Sequence, residues 1–221
     1  MRAPGRCLIL ANRPPGMQGR DAPVGPGSAR GPTRDDPGRV ARVKRRELQD
    51  PLSPRLEEGE AGATLAGIGR GALVADVRMS GDDLANLDAP ELSLRRIELK
   101  GVRLTGAQWT RGTIGDTVFR DCRMNLAAFA GTTFERVWFE RCDLRQADFR
   151  EALFRSVRLT GCDLSEADIS GLRIDRCELR GCTLDGIAGL ERLRGAEMPW
   201  GDVVGNAALL ASALGIRVLE D

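Results

Sequence analysis

The sequence predicts an all-β fold in which the chain winds into a solenoid that a C-terminal α-helix closes. Large apolar residues occupy every fifth position between about Ala72 and Asp185, and a small residue stands two positions before most of them. Every phenylalanine of the chain lies in this register: Phe119, Phe129, Phe134, Phe139, Phe149 and Phe154. A fixed short period of this kind is typical of solenoids.

A period of five excludes the two regular elements as single units. Five residues advance an α-helix by about 500°, which would scatter the apolar centres around its axis. In a flat strand an odd repeat would place successive centres on opposite faces. A chain that turns a corner after every five residues instead points the same two positions of each short side inward. Cys122, Cys142, Cys162 and Cys182 are spaced by twenty, which predicts four sides to a coil.

Individual units resemble those of a known family. CDLRQ at 142–146, ADFRE at 147–151 and CDLSE at 162–166 are similar to the A-(D/N)-L-x-x unit of pentapeptide-repeat proteins. The resemblance implies a right-handed, four-sided parallel β-helix, and we expect it over residues 56–187. The stretch 56–71, with Leu56, Leu65 and Ile68, is expected to lead into the first coil. Nearly six coils at about 4.8 Å each give a rod of roughly 27 Å.

Residues 1–55 are predicted to be a disordered, basic tail. They hold nine of the eleven prolines and no repeat, and their first 46 residues carry eleven basic and three acidic side chains. Such a composition offers too little apolar surface to offset the entropy of ordering. The alternative is a basic arm in which Arg42, Lys44, Arg45 and Arg46 touch nucleic acid or an acidic partner. The tail has no aromatic residue to stack on bases, so direct nucleic-acid binding is not favoured.

Residues 188–221 are predicted to form a C-terminal cap, with a helix at about 201–214 and a short strand at Ile216 and Val218 after it. Asp202 is a suitable N-cap, and Gly215 stands where a C′ glycine belongs. An apolar stripe at helical spacing is formed by Trp200, Val203, Val204, Ala207, Leu210, Ala211 and Leu214. The stripe is interpreted as a plug over the last coil. The alternative, which the family resemblance implies, is a homodimer surface.

Composition argues against catalysis. The chain has no histidine, and no Ser-His-Asp, Cys-His, Walker or dinucleotide motif. We therefore predict no catalytic residue, no cofactor and no metal. Acids before the apolar centres, such as Asp143, Asp148, Asp163, Asp168 and Glu178, are explained by solvation and turn hydrogen bonds. Cysteines at inward positions fit a reduced, cytoplasmic setting, and no apolar run reaches membrane-spanning length.

One outward cluster is a candidate surface for binding a protein partner. Val118 and Trp138 are expected in adjacent coils with Arg120, Arg141 and Arg158 close by, while Leu153 points outward on the neighbouring side. An exposed tryptophan edged by arginines is typical of a binding hot spot. The sequence thus favours a non-catalytic protein-binding rod.

The alternative function comes from the family resemblance, since some pentapeptide-repeat proteins modulate DNA gyrase by mimicking DNA. Mimicry requires a surplus of negative charge along the rod. Residues 80–187 carry eighteen acids and sixteen bases, so the charge balance disfavours it.

Overall fold

A computed structural model describes residues 47–55, 65 and 67–219. Six parallel strands form one sheet in chain order. They are β1 (Leu73–Ser80), β2 (Ser93–Lys100), β3 (Thr113–Arg120), β4 (Thr133–Glu140), β5 (Leu153–Thr160) and β6 (Arg173–Arg180). Leu73 pairs with Ser93, and the same step of twenty residues recurs from strand to strand. The predicted parallel β-helix with coils of four pentads is therefore confirmed.

The corners of the coil are residues with positive φ, one in every five. In the third coil they are Asp116, Asp121, Leu126 and Gly131, with φ values of 49°, 53°, 60° and 67°. A left-handed backbone costs a non-glycine residue about 1–3 kcal/mol and persists only where its surroundings enforce it. The next coil does so here, because the N–H of Asp121 donates to Glu140 O and that of Leu126 to Arg145 O, both at 2.9 Å.

Aromatic rings fill the middle of the coil. Phe119 stacks on Phe139 with centroids 4.9 Å apart, and Phe129 stacks on Phe149 at 5.2 Å. A third pair differs, because Phe134 meets Phe154 edge to face at 5.3 Å. All of these side chains are buried, as the predicted register requires.

The cysteine column is part of the same core. Cys122, Cys142, Cys162 and Cys182 are buried free thiols, and the thiols of Cys142 and Cys162 lie 3.5 Å and 3.4 Å from the carbonyl oxygens of Phe119 and Phe139. Burial raises the pKa of Cys177 to about 12. The neighbouring thiols and burial raise that of Cys142. Cys142 and Cys177 therefore stay protonated at neutral pH, and the buried thiols of the column pack as small apolar side chains.

The structure describes part of the N-terminal side of the coil. Leu65 is fully buried and Ile68 packs on the core, whereas Leu56 and the predicted basic arm at 42–46 lie outside the described residues. The predicted boundary at residue 55 stays a prediction. Residues 49–55, on its tail side, form hydrogen bonds to the coil.

The C-terminal cap differs from its prediction in where the closing strand lies. Residues 216–219 form no strand. Glu197 instead pairs with Glu178 of β6, its N–H donating to Cys177 O at 2.8 Å and its carbonyl accepting from Leu179 N at 2.9 Å. The chain thus covers the open edge of β6 before the helices begin, because that edge presents unpaired backbone groups to the segment that follows it.

The predicted helix is present as two short ones. After a 3₁₀ helix at Leu190–Leu193, α1 spans Trp200–Gly205 and α2 spans Ala207–Ala213. Gly215 ends α2 with φ of 76°, as predicted: its N–H donates to Ser212 O, and that of Ile216 donates to Ala211 O. These are the two bonds of a Schellman motif. Asp202 is wrong as the N-cap, since Pro199 holds that position and the Asp202 carboxylate accepts from Gly181 N at 2.6 Å.

The interpretation of the apolar stripe as a plug is wrong for its largest residues. Trp200, Val204 and Leu214 are 79%, 56% and 78% exposed, and neither α1 nor α2 contains a buried residue. Leu209, outside the predicted stripe, packs against the core. Since Glu197 already covers β6, the helices leave Trp200, Val204 and Leu214 facing outward, whereas Val203, Leu210 and Ala211 are half-buried. Within the described residues no helix is long and apolar enough to cross a membrane.

Candidate protein-binding surface

The candidate surface is formed by one residue from each of the strands β2 to β6. The parallel pairing of β2 to β6 sets Glu98, Val118, Trp138, Arg158 and Glu178 side by side. We call these residues the Trp138 column. Three of the six residues predicted for the cluster are thus brought into direct register.

Contacts within the Trp138 column hold its middle in place. The Arg158 guanidinium carbon lies 4.7 Å above the Trp138 ring, within the range of a cation–π interaction. Arg158 Nε also donates to Glu178 Oε2 at 2.8 Å. Trp138 is half-buried, and its indole Nε1 is buried without a hydrogen-bond partner in the described part of the chain. The result is a rigid tryptophan edge with a cation over one face.

Three predicted members are less exposed than the sequence suggested, and of these Trp138, predicted to be exposed, is half-buried. Val118 is only 8% exposed, because Glu98 and Trp138 stand beside it in the adjacent coils. Leu153 is half-buried on the neighbouring side, between Thr133 and Arg173. Val118 is therefore a support for Trp138 rather than a contact residue.

The arginines predicted to edge the cluster are engaged in ion pairs between coils. Arg120 bonds Glu140 at 2.8 Å. Arg141, at a corner, bonds Asp121 through both nitrogens of its fork at 2.7 and 3.0 Å. This pairing holds the pKa of Asp121 below its ordinary value. The surface around Trp138 is thus a set of neutralised pairs rather than a free basic rim.

A second polar feature was missed by the sequence reasoning. It is a column of corner residues spaced by twenty, Asp76, Arg96, Asp116, Arg136 and Ser156, which we call the corner column. Arg96 bonds Asp76 through two nitrogens at 2.6 and 2.5 Å, and Arg136 bonds Asp116 likewise at 2.6 and 2.9 Å. Laying out the corner positions at a spacing of twenty would have shown the alternating charges.

The acids at the predicted turn positions are used by the backbone. Asp148 Oδ1 accepts from Arg150 N at 2.9 Å, and Asp168 Oδ1 accepts from Ser170 N at 2.9 Å. Asp143 and Asp163 make the same bond two residues on. Glu178 differs, being buried and bonded to Arg158 and Arg180. No group of three His, Cys, Asp or Glu within the described residues is placed to hold a metal ion.

Comparison with known proteins identifies the repeat. Residues 92–169 and 113–188 match a family model described as a pentapeptide repeat region. A search of curated proteins finds no match.

Several solved structures are similar to this chain at low identity. A trypsin-treated variant of QnrB1, a plasmid-mediated fluoroquinolone resistance protein, is 15% identical over 65% of this chain and 99% of its own, with a TM-score of 0.30. A pentapeptide repeat protein from the Arabidopsis thaliana thylakoid lumen is 16% identical over 41% and 67%, with a TM-score of 0.24. Rfr23 from the cyanobacterium Cyanothece 51142 is 15% identical over 59% and 86%, with a TM-score of 0.20.

Proposed function

Residues 92–188 form a pentapeptide-repeat region, and we propose that the protein is a non-catalytic protein-binding rod whose partner contacts the Trp138 column. The observation that carries the proposal is the half-buried Trp138 ring held under Arg158. Tryptophan and arginine are enriched among residues that dominate binding energy. A side chain already fixed before binding loses little entropy when a partner arrives.

The distribution of polar groups also favours binding over catalysis. Inward positions are filled by apolar packing, and the outward acids bond to turn N–H groups or to arginines. A general acid or base must instead be free to reach a reacting group. What the described coil presents is a stiff surface of fixed side chains.

We expect Trp138→Ala to weaken partner binding by roughly 30-fold or more, the effect of losing a hot-spot residue. The measurement is quantitative pull-down with immobilised full-length protein, alongside thermal unfolding followed by circular dichroism. Leu126→Ala is the matched control, because Leu126 is an exposed apolar residue at a corner away from the Trp138 column. A lower melting temperature for Trp138→Ala with unchanged capture would refute the proposal.

Modulation of DNA gyrase is the second candidate function. The exposed apolar residues Trp200, Val204 and Leu214 favour this function, because they would allow two rods to join end to end into one longer rod. The charge pairs oppose it, since acids in adjacent coils alternate with arginines instead of forming a continuous negative face.

A supercoiling assay separates the two functions. Full-length protein is titrated into purified gyrase and relaxed plasmid, with and without a quinolone. The protein-binding rod predicts no change at high micromolar protein, whereas inhibition or protection at low micromolar protein would establish the second candidate.

A further inference from the structure

An N-terminal segment, residues 48–55, runs along the coil across its layers. The N–H of Gln49 donates to Ser156 Oγ at 2.5 Å, that of Leu52 to Asp116 Oδ1 at 3.2 Å, and that of Arg55 to Asp76 Oδ1 at 2.9 Å. Every third residue of the segment thus bonds a member of the corner column. Successive acceptors are two coils apart, so three residues of the segment span two layers.

The spacing fits a polyproline II conformation. Two layers of parallel strands measure about 9.6 Å, and one turn of three residues in a polyproline II helix rises about 9.3 Å. Pro51 and Pro54 restrict the backbone to the φ that this conformation needs. Leu48, Pro51 and Pro54 are half-buried while the other residues of the segment are exposed. That period of three matches polyproline II and differs from the period of two of a strand.

The acceptors are fixed by the coil itself. Forked bonds from Arg96 and Arg136 orient the Asp76 and Asp116 carboxylates, and Ser156 lies in the same corner register. A carboxylate has acceptor capacity for further donors after such pairing. The corner column therefore presents oriented oxygens at a repeat of two layers, whichever backbone supplies the N–H groups.

The segment contributes mostly backbone to this contact. Gln49, Leu52 and Arg55 donate through their main-chain N–H groups and leave their side chains exposed. Recognition thus depends on the positions of prolines and free N–H groups more than on side-chain identity. Another chain with the same pattern can make the same bonds.

We propose that the corner column is a docking track for an extended proline-containing segment of a partner protein, and that residues 48–55 are its resident occupant. The segment recognised has an apolar residue and two prolines at intervals of three, with a free N–H directly after each. The inference rests on the proposed function as a protein-binding rod, but it uses a corner of the coil instead of the Trp138 column. Docking in trans requires the resident segment to detach.

The test uses a fluorescent peptide of residues 48–55 and full-length protein. Gln49→Pro/Leu52→Pro removes two donors of the resident segment and leaves the track unchanged. Fluorescence anisotropy is expected to show at least tenfold tighter peptide binding to this variant than to wild type, because the resident no longer competes. Ser53→Pro is the matched control, since it adds a proline without removing a docking donor, and it should bind like wild type.

Two further measurements make the result specific. A peptide with proline at both altered positions should fail to bind, and Ser156→Ala in the double variant should weaken binding of the normal peptide. The single variant Leu52→Pro, expected to be intermediate, serves if the double variant does not fold. A folded variant that binds no peptide at millimolar concentration would overturn the docking track. That outcome would leave capture through Trp138 unaffected, so the two proposals fail separately.

Discussion

At the scale of single residues, Asp116, paired with Arg136, is the least exposed carboxylate among the ion pairs of the described residues. The Asp116 side chain is 1% exposed and that of Arg136 is 23% exposed. Burial acts to raise the pKa of Asp116, but hydrogen bonds from Arg136 and from the N–H of Leu52 hold it below the ordinary value. A buried charge that loses its partner is strongly destabilising.

We expect Arg136→Met to lower the free energy of unfolding by about 3 kcal/mol, because it leaves the buried Asp116 carboxylate without its counter-ion. Urea denaturation at pH 7 measures the loss. Arg141→Met is the matched control: its pair with Asp121 is exposed to solvent and screened, so the loss of unfolding free energy there should be much smaller. Equal losses in the two variants would contradict a special role for the buried pair.

The same pair predicts a dependence on pH. Since the folded pKa of Asp116 is lowered, the stabilisation it contributes is fully present above the unfolded value of about 3.9. It is lost as the pH falls through the folded pKa. The difference in unfolding free energy between wild type and Arg136→Met should therefore shrink from pH 5 towards pH 2. If the difference in unfolding free energy stayed constant from pH 5 to pH 2, the ionisation of Asp116 would not be the source of the stabilisation.

At the scale of elements, the middle coils are joined by aromatic rings that stack from layer to layer. Phe139 is fully buried, with Phe119 stacked on it and Phe134 and Phe149 in contact. In a solenoid every repeat contacts only the repeats beside it. A substitution that destabilises one layer should therefore destabilise the adjacent coils most.

Phe139→Ala should cost about 3–5 kcal/mol of stability, the usual loss for a buried ring. Hydrogen exchange should show the largest loss of protection in β3, β4 and β5, with β1 less affected. Leu126→Ala, at an exposed corner, serves as control with a change within about 0.5 kcal/mol. Uniform loss of protection from β1 to β6 would show that the coil unfolds as one unit instead.

At the scale of the whole molecule, the two ends of the coil are finished differently. Leu65 and Ile68 pack at the first coil, whereas the far end carries Glu197 on β6 and then two helices with no buried residue. Exposed Trp200, Val204 and Leu214 make that end apolar. An exposed apolar patch of this kind is typical of an interaction surface, and a second copy of the chain is the occupant that the sequence analysis expects.

We expect Trp200→Ser/Val204→Ser to shift the full-length protein from dimer to monomer in sedimentation velocity. Since neither residue is buried against the coil, the melting temperature of the coil at high dilution should stay unchanged. Leu126→Ser is the control, because it also removes an exposed apolar side chain but at a corner of the coil, and it should not alter the sedimentation coefficient. A monomeric wild type at tens of micromolar would refute the dimer.

The architecture of the coil follows from the sequence pattern alone. A period of five fixed which side chains point inward, and the twenty-residue spacing of Cys122, Cys142, Cys162 and Cys182 fixed four sides to a turn, as the pairing of Leu73 with Ser93 confirms. These features follow from the regular spacing of residue types along the chain, which can be read without knowing any long-range contact. Gly215 as a helix terminator was likewise a local signal.

The surface, in contrast, depends on contacts between residues that are distant in sequence. Such contacts cover Val118, pair Arg136 with Asp116, place Glu197 on β6 and place Leu52 on the corner column. The pentad pattern does not restrict which residue type stands at an outward position. The neighbours of that residue come from the coil above, the coil below and any segment that crosses them. Periodicity determines the direction in which a side chain points, whereas contacts between layers determine what it meets.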